Sequence, residues 1–550
     1  MQRREFLASI AAAGAASLAA CRSRAPTLPP GDLLGTALEI GHRLREQTLP
    51  AASETRKVPV LIVGAGVGGL AAGWKLAQAG FGDFLLVELE AESGGNSRAG
   101  RNAVSAYPWG AHYLPLPTRE STAVRELLAE LGVLHGDAHA ARPVYDERHL
   151  CATPQERLYR DGRWQEGLLP LTGVGAGERS QYRRFADLIE SFAQRRDASG
   201  RPAFALPMAL SSRDADLLRL DRSSMRDWLL AQGLDSPQLH WYVNHACRDD
   251  YGTASAAVSA WAGIHYFASR SGEAENAASD TVLTAPEGNA WLTTGMLRSI
   301  EARVGNRLLT GALAFRVEGG EGPAGDGPLA VDLWLPGEQR TLRVLAEQLI
   351  WAAPLFLVPW VFNGHARLKD AARSFSYAPW LVANLTLSRL PEERSGAPLA
   401  WDNVLHRGSG LGYVVATHQQ MRVWRGATVL TWYRSFDELA PEVARAALRE
   451  TPRKAWAEQI LAELEKPHAD IRHVTSRLDV FRNAHAMVRP VPGLIWSDAR
   501  ARFAADGERL RFAHADVSGF SLFEEAQYRG ILAAERTLRR LRMRFSSSLA

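Results

Sequence analysis

The chain has 550 residues, 46% of them hydrophobic, which is enough apolar material for a large core shared between two domains. Its formal net charge is only +4 and its basic residues are scattered, which excludes a nucleic-acid-binding role; the one basic cluster, Arg536 to Arg544, reads as the solvated face of a last helix. None of the three cysteines stands in a metal-ligand spacing with histidine, so no metal is expected, and Cys151 and Cys247 read as free buried thiols, with pairing in an oxidising compartment as the alternative.

At the start, Arg3 and Arg4 precede an apolar, alanine-rich segment from Ile10 to Ala20 that ends in Cys21. A charged start, a short apolar middle and a small-residue end predict an export signal over residues 1–21, too short to span a bilayer. The arginine pair resembles a twin-arginine signal, and Leu18-Ala19-Ala20-Cys21 resembles a bacterial lipoprotein box. That resemblance implies lipidation at Cys21 and a membrane-anchored protein on the periplasmic side. An uncleaved anchor, or a plain signal peptide with a chance cysteine, is the alternative. Residues 22–56 hold Pro26, Pro29, Pro30 and Gly31, then a helix-like stretch from Leu33 to Glu46, and predict a tether with one short packed helix.

The stretch Val60–Arg98 organises everything after it. An apolar run, Val60 to Val63, is followed at once by Gly64, Gly66 and Gly69 in G-x-G-x-x-G order, then by a helix-like segment to Gln78. The first glycine permits a sharp turn, the second lets backbone approach a pyrophosphate, and the third lets helix and strand pack closely. The positive end of the helix dipole then faces the phosphates. A second apolar run, Phe84 to Val87, ends in Glu88, whose carboxylate is placed to accept the hydroxyls of an adenosine ribose. Strand, triad, helix, second strand and terminal acid in register predict a dinucleotide site.

Further along come Gly94-Gly95 followed by Asn96, Ser97 and Arg98, then Trp109-Gly110-Ala111-His112-Tyr113, Pro286-Glu287-Gly288-Asn289, and near the end Arg511 to Asp516 and Glu524-Glu525-Ala526 with Gly530 four residues on. Spaced in this order, these segments resemble the flavin-containing amine oxidase superfamily, which includes phytoene-desaturase-like and protoporphyrinogen-oxidase-like enzymes. The resemblance implies non-covalently bound FAD. Gly94, Gly95, Ser97 and Arg98 would lie beside its pyrophosphate and ribityl chain, with Arg98 supplying the charge of the arginine that Asn96 replaces. Gly110 and Ala111 would lie flat against the flavin, and His112 on the substrate side. Asp516 would hold ribityl hydroxyls, and Glu524 and Ala526 would open a last helix aimed at the flavin. Glu525 and Arg529 stand where the family pattern has glycine and serine.

The order of these segments also implies a fold class: α/β, with a Rossmann-type FAD-binding domain interleaved with an α+β substrate domain. The FAD-binding pieces are expected at residues 57–135, 280–355 and 474–545, and the substrate-domain pieces at 136–279 and 356–473. Leu349–Phe362 reads as a buried strand and a turn. The resemblance implies an oxidoreductase taking a hydride equivalent from a small amine, with a desaturase or isomerase of a lipophilic polyene, or a non-catalytic flavoprotein, as alternatives. Two departures bear on the choice. Amine oxidases commonly place a lysine on a substrate-domain strand near the flavin, whereas Leu381–Leu387 has none and offers Asn384 as its strongly polar residue. The position often tyrosine, two before Glu524, is Leu522. His112 and Asn384 are therefore the catalytic candidates, and Cys247-Arg248-Asp249-Asp250-Tyr251 is either a substrate contact or a surface turn.

Overall fold

The apolar run before the glycine triad is the C-terminal half of a ten-residue strand, Glu54–Val63, in a computed structural model that describes residues 28–46, 49–319, 328–420 and 426–549. Cys21 and the export segment lie outside the described residues. Along this strand side chains alternate between faces, and Val60, Leu61, Ile62 and Val63 are all buried, as in a parallel sheet covered on both sides. It pairs in parallel with Phe84–Val87 and with Arg340–Trp351. Leu308–Leu309 extends the sheet beyond Phe84–Val87, Leu510–Phe512 joins the far end of Arg340–Trp351, and the antiparallel pair Leu329–Leu335 and Leu313–Glu318 completes seven strands.

Val60 and Ile62 pack against the helices Val67–Gln78, Ala290–Val304 and Phe523–Arg540. Leu61 and Val63 pack on the other side against Leu355, Val358, Phe375 and Phe503. Two of the helices touch through glycines. A Cβ on Gly68 would stand 1.9 Å from Ala513 O, and one on Gly530 would stand 2.1 Å from Gly68 O.

A second sheet has eight strands in the order Leu33–Gly35, Thr475–Val488, Tyr377–Leu387, Thr428–Ser435, Gly412–Val415, Asp402–Leu405, Glu156–Arg160 and Arg163–Glu166. One face, with Leu381, Ala383 and Leu385, packs on Leu448, Trp456 and Ile460 of two helices, Pro441–Glu450 and Arg453–Leu464. The opposite face, with Trp380 and Val382, packs on Trp109 and Tyr113. A separate cluster built from the helices Ala176–Gln194, Met225–Ala231, Pro237–Tyr251 and Ala260–Ala268 lies beside it. The architecture is α/β, with a Rossmann-type domain interleaved with an α+β part. No helix among the described residues is long and apolar enough to cross a membrane.

The boundaries differ from the sequence expectation in three places. Thr475–Val488 belongs to the second sheet, paired along nearly its whole length with Tyr377–Leu387, so the chain returns to the dinucleotide sheet at Leu510 rather than at residue 474. Leu33–Glu46 is not one helix: Leu33–Gly35 is an edge strand beside Val480–Arg482 and the helix is Leu38–Glu46. The region read as tether also supplies Glu54–Arg56, the start of the first Rossmann strand.

Candidate functional site

The sharp turn after Val63 is left-handed at Gly64, with φ +98°, and a Cβ there would meet the Ala352 carbonyl at 2.9 Å. A Cβ on Gly69 would stand 1.8 Å from Gly64 O, which is the close helix–strand packing that the third glycine was expected to serve. Gly66 has space: the nearest atom to its Cβ position is Gly95 Cα, 3.8 Å away. Gly94 N donates to Ala65 O at 2.8 Å, so the triad and the Gly94-Gly95 doublet face one another as two backbone surfaces. Glu88 closes the end of the second strand. Its Oε2 accepts Ala65 N at 2.7 Å and its Oε1 accepts Glu90 N at 3.0 Å, while burial pushes its carboxyl up.

Arg98 is held locally. Its Nε donates to Gly95 O at 3.1 Å, its Nη1 pairs with Glu90 at 3.2 Å, and its guanidinium lies over Phe481. The buried Ser97 anchors the loop through its carbonyl, which accepts from Thr293 Oγ1 at 3.4 Å. The next segment crosses the same loop: Ala111 N donates to Asn96 O at 2.9 Å, and a Cβ on Gly110 would stand 2.3 Å from Asn96 O. The Pro286–Asn289 segment backs it, with Asn289 N on Ala111 O and Asn289 Nδ2 on Tyr113 O.

Asp516 is 1% exposed. Burial opposes its charge, but His514, Leu355 N–H and the Tyr377 hydroxyl together hold its carboxyl below the usual range. Both of the last two donate to Oδ2, at 2.9 and 2.7 Å, and His514 Nδ1 stands 3.1 Å from Oδ1. Ala526 lies at the crossing of two helices, its carbonyl 3.3 Å from the Gly68 Cβ position. Glu524, in the first turn of Phe523–Arg540, is buried, its Oε1 unpartnered and its carboxyl pushed up to about 7 by burial. The two departures from the family pattern compensate each other. Glu525 accepts Met208 N and the Ser518 hydroxyl, and Arg529 Nε donates to the same Ser518 Oγ at 2.8 Å. Both side chains are thereby held by the helical cluster's Met208 loop and the Ser518 turn.

Of the two catalytic candidates, Asn384 is engaged elsewhere. The period of its strand turns it toward the inner face, but its Nδ2 donates to Pro108 O at 3.1 Å and its Oδ1 accepts Thr431 Oγ1 at 2.6 Å. It pins the turn before Trp109 and has no exposed amide for substrate. His112 stacks on Tyr433 at 4.6 Å between centroids, with Trp401 at 5.6 Å. Burial lowers its pKa to about 4 against a hydrogen bond to Gly110 O, so its imidazole is neutral at pH 7.

Around His112 the fold gathers acids that sequence reasoning left undecided or missed. The Cys247–Tyr251 segment is the C-terminal turn of a helix, not a surface turn: Cys247, Asp250 and Tyr251 are buried. Asp250 pairs with Arg270, and Arg270 Nη1 donates to Tyr113 Oη at 3.0 Å. Asp249 accepts from Tyr113, and burial together with the charge of Asp250 pushes its carboxyl up to about 7. Asp402 and Glu156 are direct Cα partners on adjacent parallel strands. Burial raises both, Asp402 well above its ordinary value, and Asp249 and Glu156 raise Asp402 further. Among the described residues no ion pair reaches Asp249, Asp402 or Glu156. All three, and His112, keep some accessible surface although burial dominates their titration, and the charges of Asp249 and Asp402 both act on Tyr433, the ring stacked on His112, so the acids form one group beside it. A carboxylate inside the apolar run Trp401 to Leu405 was the available sequence signal for Asp402; Glu156 carried none.

Residues 62–131 match the family described as an NAD(P)-binding Rossmann-like domain. Among solved structures, wild-type putrescine oxidase bound to putrescine aligns with a TM-score of 0.61 at 16% identity, over 88% of this chain and 99% of that one. The fold is amine-oxidase-like. Cyclohexylamine oxidase from Brevibacterium oxydans gives 0.62 at 15% identity, over 88% of this chain and 100% of that one. A CLA-producing fatty acid isomerase from P. acnes gives 0.58 at 14%, over 87% and 98%. Curated proteins yield no match to the sequence.

Proposed function

We propose that this chain is an FAD-dependent oxidoreductase that removes a hydride equivalent from the carbon beside the nitrogen of a small cationic amine. The residues present fit FAD. The backbones of Gly66 and Gly95 meet at close range, a Cβ on Gly95 standing 3.2 Å from Gly66 Cα, so both positions present bare backbone to a ligand, and the buried Asp516 Oδ1, with His514 Nδ1 at 3.1 Å, keeps acceptor capacity for a ligand hydroxyl. Glu88 would take the ribose, and the first turn of Phe523–Arg540, with no side-chain cap at Leu522, would present N–H groups to the flavin edge. No cysteine lies in these segments, so the cofactor would be held without a covalent bond. When bound, FAD supplies the ring that accepts the hydride.

The observation that carries the amine assignment is this group of acids. Asp402 and Glu156 face each other without a basic partner, an arrangement that destabilises the apo protein and suits a cation that enters. Tyr433 and Trp401 flank His112 beside these acids. Asp249, with a carboxyl near neutrality, is a stronger base than an ordinary carboxylate and receives the ammonium proton at its carboxylate oxygen. His112 remains neutral and orients through its bond to Gly110 O.

The test is anaerobic addition of mono-, di- and polyamines to the purified yellow protein. Bleaching of the flavin bands by an amine, and their return in air, supports the proposal. Bands that respond to lipid extract and to no amine favour the polyene desaturase or isomerase reading, which the unpaired carboxylates oppose. Bands that no metabolite bleaches favour a non-catalytic flavoprotein. In the same reading Cys21 anchors the enzyme to the membrane on the periplasmic side.

A further inference from the structure

The strands Glu156–Arg160 and Asp402–Leu405 run parallel, and beyond their C-terminal ends a cavity of about 330 Å³ opens to the surface. Tyr159, Arg160, Gln238, His406, Arg407 and Lys466 line this one. The turns that follow the two strands present their side chains into it from left-handed residues, Asp161 with φ 51° and Arg407 with φ 57°. The lining carries three cations and one acid, Asp161, which pairs with Arg160 Nε at 3.2 Å. Among the described residues, Arg407 and Lys466 have no ion-pair partner.

Polar atoms at the wall also lack partners. Arg160 Nη1, His406 Nε2 and Gln238 Oε1 are buried and make no hydrogen bond. Buried polar atoms of this kind are normally satisfied by protein, water or ligand, and here three belong to residues that line one cavity. The cavity is separate from the acid group of Asp249, Asp402 and Glu156. Trp241 packs on His406 at 4.6 Å and stacks on His245 at 5.4 Å, and the eleven helical steps from Gln238 to Asp249 set the two sites about 16 Å apart.

We infer that this cavity is a second ligand site, for a small dianion that presents oxyanion groups, as in a phosphate or a dicarboxylate. Two guanidinium groups offer paired N–H donors to such groups, and an ammonium adds a point charge. Burial and the charges of Arg160 and Arg407 lower the pKa of His406, so the imidazole adds no charge of its own until an anion enters.

The experiment is calorimetric titration of the purified full-length protein at low ionic strength, with inorganic phosphate and, separately, succinate. Wild type is compared with the double variant Arg407→Gln, Lys466→Gln; both side chains are exposed, and equal melting midpoints without ligand verify the fold. One-to-one saturable binding of one probe, weakened at least about tenfold in the double variant, is the expected result, and the probe that binds assigns the anion. The imidazole resonance of His406 shifts on binding in the wild type alone. Absence of saturation by either probe up to about 10 mM, or unchanged binding in the double variant, overturns the inference. Either result is independent of whether any amine reduces the flavin.

Discussion

Gly530→Ala is the substitution that most sharply tests the packing under the dinucleotide site. Its Cβ would lie 2.1 Å from Gly68 O and 2.9 Å from Ala71 Cβ. The first contact is with backbone, which cannot rotate away, so the helices must part by roughly 1 Å to reach an ordinary separation. Gly68 meets Ala513 O at 1.9 Å on its own Cβ side, so that helix is hemmed in there as well. Alanine gains about 1 kcal/mol of helix propensity over glycine, and overpacking costs about 1–3 kcal/mol. Gly41→Ala, in helix Leu38–Glu46 with nothing within 4 Å of its Cβ, carries the same propensity gain without the clash. The stability difference between the two variants isolates the overpacking cost, about 1–3 kcal/mol in favour of Gly41→Ala. Urea unfolding followed by circular dichroism measures it, and the flavin-to-protein absorbance ratio is expected to fall in Gly530→Ala alone. Equal or greater stability of Gly530→Ala would refute the close glycine contact.

Four further substitutions have expected outcomes. Asp249, protonated below about pH 7, cannot then pair with an ammonium, so amine kcat/KM rises from pH 6 to 8 in the wild type and loses that inflection in Asp249→Asn. The same raised pKa makes the folded protein bind the extra proton between the ordinary carboxylate range and pH 7. Stability therefore falls as pH rises through that window, and the fall is smaller in Asp249→Asn, as melting midpoints across pH report. Glu156→Gln removes one of two like charges at paired strand positions; it is expected to raise stability by about 0.2–1 kcal/mol while raising the KM for a diamine. Asn384→Leu strands Pro108 O and Thr431 Oγ1, with a loss of about 1–3 kcal/mol in urea unfolding. Cys21→Ser is expected to move the protein from the membrane to the soluble fraction of the host.

The dinucleotide site was legible because its signals are local. Gly64, Gly66, Gly69 and Glu88 fall within one βαβ unit, where steric need dictates residue type at each step. The Rossmann helix and strand appear where those residues require them. The placement of Thr475–Val488 was not legible, because partnership with Tyr377–Leu387 is decided about ninety residues away and an alternating strand suits either sheet. Asn384 was read as a free polar group on an apolar strand. The sequence shows a polar residue on an apolar strand but not the Pro108 carbonyl that occupies it. The acid group was hidden for the same reason, since Glu156 and Asp402 meet only through strand register. Glu525 and Arg529 looked like damage to a pattern until Ser518 joined them.

The identity and stoichiometry of the nucleotide released from purified protein by denaturation is the most direct measurement. One FAD per chain, released without proteolysis, is the result expected of Gly66, Gly95 and Asp516 as they are placed here. A colourless protein that takes up no flavin on reconstitution, or that releases a nicotinamide nucleotide instead, contradicts it.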